Sequence, residues 1–173
     1  AGPYLFFDNT FIDWDHSLLA ALFWSAMWGA LFLRDRRVAA LAFVASLSHF
    51  FADWPVHNND LALYPHAETH LGHGLWGKLG TASWVLEGVF AASFVAYAWV
   101  TSARRGVSLL WPAIVLVVLF LNLSPWLSPM KHVAGLDEPM AHLLQGMLVT
   151  LGFLVPAALL IWLVVRAEAS SQH

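Results

Sequence analysis

The sequence predicts an all-α protein, a polytopic membrane helix bundle in which residues 1–173 form a single integral membrane domain. Of the 173 residues, 60% are hydrophobic and only 11% are charged, whereas soluble domains carry about 25% charged residues. A transmembrane helix needs about 20 mostly apolar residues. Five segments meet that requirement, which predicts about five transmembrane helices: 16–33, 38–54, 80–100, 107–124 and 141–165.

Each predicted span is supported by its own residues. The first reads SLLAALFWSAMWGALFL, and the second, VAALAFVASLSHFF, is short and ends among polar groups. The third contains TASWVLEGVFAASFVAYAWV, the fourth SLLWPAIVLVVLFLNL and the fifth HLLQGMLVTLGFLVPAALLIWLVV. Short linkers, RDRR and TSARRG, predict tight turns between antiparallel helices. The connections 55–79 and 125–140 are longer, and loops of that length are usually functional or mobile.

The distribution of basic residues predicts the orientation. All six arginines fall on one side of the predicted spans, and the two lysines, Lys78 and Lys131, fall on the other. The arginines are Arg34, Arg36, Arg37, Arg104, Arg105 and Arg166. Because positive residues concentrate on the cytoplasmic side, the N-terminus is expected outside and the C-terminus in the cytoplasm. This pattern predicts a multi-pass protein of the bacterial inner membrane with the lipid bilayer as its main partner. A net charge of −3 without a basic run argues against nucleic acid as a partner.

Ionisable side chains inside the predicted spans are the strongest functional signal. His49 and Asp53 are four residues apart and therefore share a helix face. They lie about 16 Å and 22 Å from the start of the second span, within a hydrocarbon core of about 30 Å. His16 opens the first span from the outside, and Glu87 reaches a similar depth in the third. Such groups cost about 2.5–3.5 kcal/mol each in a membrane and so usually have a partner or a task.

These residues favour a divalent-metal site, with zinc as the favoured ion. Cysteine is absent, so only histidine and carboxylate ligands are available. Pro55 is expected to stop the helix, and His57 then follows where it could fold back onto an ion held by His49 and Asp53. Asp60 or Glu87 could accept a proton from a metal-bound water, whose pKa falls towards 7. In a plainer interpretation, His49 is a core histidine hydrogen-bonded to Asp53.

Two further sets of polar residues stand out, three histidines in the loop 55–79 and two amides in the later spans. The loop histidines could form a second ligand group, or they could be solvated imidazoles at the membrane interface; they are His66, His70 and His73. Asn122 and Gln145, in the fourth and fifth spans, are expected to make hydrogen bonds between helices.

Residues 10–90 contain several short motifs, which are Asp15-His16-Ser17-Leu18-Leu19, Ser48-His49 with Asp53, Val56-His57 with Asp60-Leu61, Leu63-Tyr64-Pro65, Leu71-Gly72 and Gly74-Leu75-Trp76. Together they resemble a family of bacterial integral-membrane proteins classed as metal-dependent hydrolases, distant relatives of the LexA-regulated inner-membrane hydrolase-like proteins. The resemblance covers about residues 10–90 and implies that the metal ligands are His16, His49, Asp53 and His57, with Glu87 as the matching intramembrane acid. Members of that family usually begin with a further hydrophobic hairpin, which is not among the 173 residues of this sequence.

The preferred interpretation is a membrane-embedded, divalent-metal-dependent hydrolase that acts at the outer membrane face on a lipid-like or amphiphilic substrate. The alternative is a non-catalytic accessory subunit of a larger respiratory or photosynthetic membrane complex, whose histidines bind a cofactor or contact other membrane subunits. The missing hairpin favours this alternative if the hairpin supplies ligands. A proton or metal-ion transporter is a third interpretation, but it lacks polar groups across the inner leaflet.

Overall fold

The computed structural model describes residues 13–57 and 59–171, without the side chain of Asp15. Within these ranges the chain is helical, with two isolated β-bridges, Ser17–Ala62 and Ala62–His70, and no longer strand. The prediction of an all-α protein is therefore confirmed for the described residues. Their helices are α1 (Asp13–His16), α2 (Leu18–Ala30), α3 (Arg36–Val56), α4 (Leu75–Leu79), α5 (Thr81–Ala103), α6 (Leu110–Asn122), α7 (Met130–Val133) and α8 (Met140–Ser170).

Three of these helices, α3, α5 and α8, are long and apolar enough to cross a membrane. The other two apolar helices, α2 and α6, have 13 residues each, which corresponds to a length of about 20 Å. Three of the five predicted spans thus have the length of a membrane helix. Pro55 does not stop α3 as expected, because the helix continues through it to Val56.

The chain divides into two compact units, 1–83 and 84–173. In the first unit, α2 and α3 form an antiparallel pair joined by a short turn. Asp35 caps α3 by accepting hydrogen bonds from the backbone N–H groups of Arg37 and Val38. The two helices approach closely: a Cβ added to Gly29 would lie 3.0 Å from the carbonyl oxygen of Ala39. The absence of a side chain at Gly29 therefore allows the two backbones to approach closely.

The connection 57–74 is folded back onto the ends of α2 and α3. The backbone N–H groups of Leu18 and Leu19 donate to the carbonyl oxygens of Ala62 and Leu63, each over 3.0 Å. At the other end of the connection, His73 N–H donates to the carbonyl oxygen of Trp54 over 3.1 Å. Leu61 and Ala62 are completely buried. The connection is therefore anchored to the first unit by Leu61 and Ala62, while Leu63 and Tyr64 beside them are exposed.

The second unit contains most of α5, together with α6, α7 and α8. Trp84 of α5 stacks on Phe120 of α6 with 4.6 Å between ring centroids, and its indole N–H donates to the Phe120 carbonyl over 3.3 Å. Large apolar side chains are exposed along these helices, for example Phe94, Leu154 and Ile161. Exposed apolar helix surface of this kind is compatible with contact with a lipid bilayer.

Candidate metal centre

The position of His16 is determined by the start of α2. His16 ends α1, and the next residue, Ser17, is the N-cap of α2, where its hydroxyl accepts a hydrogen bond from the backbone N–H of Ala20 over 3.3 Å. Ser17 is completely buried and forms a β-bridge with Ala62. The backbone on the C-terminal side of His16 is therefore held both by a helix cap and by the connection 57–74.

His49 and Asp53 lie on the last two turns of α3, and their side chains contact each other as the spacing predicts. The distance from His49 Nε2 to Asp53 Oδ2 is 3.1 Å. The His49 side chain is 68% exposed, whereas that of Asp53 is 15% exposed. The carboxylate thus lies inside the first unit, and the imidazole lies at its surface.

His16, His49 and Asp53 converge. Each can offer one ligand atom such that the three atoms lie within 4.8 Å of one another. Ligands about 2.0–2.1 Å from a tetrahedral zinc ion are about 3.4 Å apart, so small side-chain rotations would bring this set to coordinating distances. Two imidazoles and one carboxylate also form a ligand set found in catalytic zinc sites, which leave a fourth position for water.

His57 lies beside this set and is paired with Asp60. Its Nδ1 is 3.2 Å from Asp60 Oδ1, and both side chains are partly shielded from solvent. The imidazole packs against Trp76 on one side, with 4.5 Å between ring centroids, and lies near the ring of His16, with 5.1 Å between centroids. His57 is thus held within the first unit, although its ligand atom is not among the three that converge.

The pKa of Asp60 reflects opposing effects. Burial alone raises the pKa of this carboxyl group, but the hydrogen bond from His57 and the charges of His57 and His16 lower it, so that the pKa ends below its ordinary value. Asp60 is therefore ionised at neutral pH. An ionised carboxylate that accepts a hydrogen bond from Nδ1–H orients the imidazole ring.

The remaining residues with predicted roles do not belong to the converging set of His16, His49 and Asp53. Among the residues that the structure describes, no second group of metal-ligating side chains forms around His66, His70 and His73. Glu87 lies on α5 in the second unit, and its role as a base stays a prediction. The prediction that Asn122 bonds to another helix is wrong, because its side-chain amide donates to the carbonyl oxygen of Val118 in the same helix over 2.9 Å.

Two residues near the site were not predicted as site residues from the sequence. Asp13 is 5% exposed, and its carboxylate accepts a hydrogen bond from the backbone N–H of His66 over 2.8 Å. Trp76 packs against His57. The Asp13 bond joins residues 53 positions apart, and no local pattern predicts such a contact.

Comparison with known proteins adds no assignment to this geometry. No family model matches the chain, and neither a curated protein nor a solved structure matches it. The features of this chain that indicate a function are the convergence of His16, His49 and Asp53 and the adjoining pair of His57 and Asp60.

Proposed function

We propose that this chain is a multi-pass membrane protein that holds a divalent metal ion, zinc being favoured, and hydrolyses a lipid-like ester or phosphoester at the outer membrane face. The observation that carries the proposal is the convergence of His16, His49 and Asp53 within 4.8 Å. These residues come from two segments of the chain that the connection 57–74 brings together.

The chemistry follows from the arrangement of the side chains. A divalent ion in this site would polarise the substrate oxygen and lower the pKa of a bound water towards 7. His57 is oriented by Asp60 and offers Nε2 as a proton acceptor beside the ligand set. Asp60 then acts through His57 rather than as the base itself. The apolar side chains around the end of α3, including Phe51 and Trp54, suit the tail of an amphiphilic substrate.

The proposed topology has five spans, with the N-terminus outside and the C-terminus in the cytoplasm. The arginines flank the helices at one end of each predicted span, as the positive-inside rule requires. α2 and α6 are each shorter than the hydrocarbon core, which local thinning of the bilayer and adjacent apolar turns can accommodate. The turn after α2 supplies such residues, Leu31, Phe32 and Leu33.

A reporter that is active only outside the cytoplasm tests this topology. Inserted at residue 60 or 133, it should be active, and fused after Arg105 it should be silent. The reverse pattern would place the histidines on the cytoplasmic side and contradict the proposal.

The catalytic proposal is tested with His57→Gln and Glu87→Gln beside the wild type. Purified without chelator, each protein is assayed for metal content and for hydrolysis of a panel of lipid-like chromogenic esters and phosphoesters. His57→Gln should keep the metal and lose at least about 100-fold in turnover, as expected for removal of a general base. If Glu87→Gln has that effect instead, Glu87 is the base. If the wild type binds metal but hydrolyses no substrate of the panel, the accessory-subunit interpretation replaces the hydrolase.

A further inference from the structure

A cavity of about 570 Å³ lies in the second unit, between the first turn of α6 and the last turns of α8. Cavities of about 300–1,000 Å³ are typical of small-molecule sites. Its lining combines two kinds of surface. The apolar part includes Trp111, Trp162 and Leu163, and the polar part includes Ser108, Arg166 and Ser170.

The polar part of this cavity carries an uncompensated positive charge. The guanidinium carbon of Arg166 lies 5.3 Å from the centre of the Trp162 ring, and no described carboxylate forms an ion pair with it. Arg105 is 3.8 Å from Glu168, at the same end of the unit, and Arg104 also lies there. The lining itself contains one arginine and no carboxylate.

The cavity also lies where a membrane helix passes from apolar to polar surroundings. α8 has 31 residues, about 46 Å, and so extends beyond a hydrocarbon core of about 30 Å. Trp111 and Trp162 are 64% and 53% exposed, as is common for indole rings at a membrane interface. Arg166 and Ser170 follow in the final turns of α8. With α8 spanning the membrane as proposed above, the cationic part lies at the depth of lipid headgroups.

We infer that this cavity binds an anionic phospholipid, with the phosphate on Arg166 and an acyl chain along Trp111 and Leu163. A guanidinium group is well suited to phosphate, and basic pockets between membrane helices bind anionic headgroups. Free phosphate would leave the apolar part of the lining unused. A zwitterionic lipid would gain less from the excess positive charge. The inference is independent of the metal centre, which lies in the other unit.

Native mass spectrometry of the full chain in detergent tests the inference, with phosphatidylglycerol and phosphatidylcholine as the probes. The wild type should bind phosphatidylglycerol more tightly than phosphatidylcholine. Arg166→Gln should weaken phosphatidylglycerol binding about fivefold, the effect expected for one basic residue near an anionic lipid. Arg166→Lys, which keeps the charge but loses the planar guanidinium group, should weaken binding less than Arg166→Gln does. Arg36→Gln, an arginine variant in the first unit, should leave it within about twofold.

A second variant covers the case in which Arg166→Gln cannot be purified. Ser170→Glu places a carboxylate on the same exposed rim and should also weaken binding of phosphatidylglycerol but not of phosphatidylcholine. Inorganic phosphate at millimolar concentration should not displace the lipid. Equal binding of both lipids, unchanged binding in the Arg166 and Ser170 variants, or displacement of the lipid by phosphate would overturn the inference.

Discussion

The connections 57–74 and 123–139 are similar in composition but are held in different ways. Both contain proline, glycine, histidine and acidic residues. In the first, residues 61–63 and 71–74 make backbone hydrogen bonds to distant parts of the chain or across the connection itself. In the second, every described backbone hydrogen bond outside the helices joins residues three or four positions apart.

The contacts of the histidines differ between the two connections in the same way as the backbone hydrogen bonds do. His57 lies close to His16, which precedes it by 41 positions, because the connection 57–74 is packed onto the start of α2. In the second unit, His142 contacts Glu138, one helical turn away in sequence, and both side chains are exposed. A loop rich in histidine thus yields a candidate site only where long-range backbone bonds bring separate segments together.

The largest expected effect comes from removing the buried anchor of the first connection. Leu61 is completely buried, so Leu61→Ala should lower the free energy of unfolding by about 2–5 kcal/mol and loosen the attachment of the connection. Leu127→Ala, at an exposed leucine of the second connection, should change it by less than about 0.5 kcal/mol. Denaturant titration in detergent measures both. Equal losses would show that the two connections are held alike.

A smaller effect is expected from the close contact between α2 and α3 at Gly29. Gly29→Leu should destabilise the protein by about 1–3 kcal/mol through overpacking, because an added Cβ would already lie 3.2 Å from that of Phe43. Gly152→Leu on α8 is the matched control, since nothing lies within 4 Å of its added Cβ. Thermal melting of both variants checks the difference. A stable Gly29→Leu protein would mean that α2 and α3 can separate without loss.

The smallest effect distinguishes the two histidine–carboxylate pairs. Asp60→Asn should cost about 1 kcal/mol, because the partly buried hydrogen bond to His57 loses its charge. Glu138→Gln should cost less than about 0.5 kcal/mol, because its pair with His142 is exposed. Both are measured by denaturant titration at neutral pH. A larger loss of unfolding free energy in Glu138→Gln than in Asp60→Asn would contradict the expectation that the partly buried pair is the stronger one.

The sequence predicted the parts of this structure that depend on local periodicity. Apolar runs located all five apolar helices, and the four-residue spacing of His49 and Asp53 predicted their contact. Helix ends were less predictable: Pro55 remains helical, and α2 and α6 are shorter than the apolar segments that contain them. Turn geometry, which sets those ends, depends on neighbouring segments as well as on local composition.

The site was predictable in its residues more than in its arrangement. Placing His16 with His49 and Asp53 required only that polar groups at one depth face one another. Separating His57 from that group and pairing it with Asp60 required the fold of the connection 57–74. The contact between Asp13 and the backbone of His66 has the same origin. Such tertiary contacts leave no periodic trace in a single sequence.

The metal content of the purified protein tests the central claim most directly. Wild-type protein, isolated in detergent without chelator, should contain about one divalent ion per chain. Asp53→Ala should reduce that content at least about tenfold, because even the loss of a supporting partner of a ligand costs 10–100-fold in metal affinity. Glu138→Ala, which removes an exposed carboxylate from the second unit, should leave the content unchanged. A metal-free wild type that takes up no zinc when zinc is supplied, or equal content in all three proteins, would contradict the assignment of His16, His49 and Asp53 as ligands.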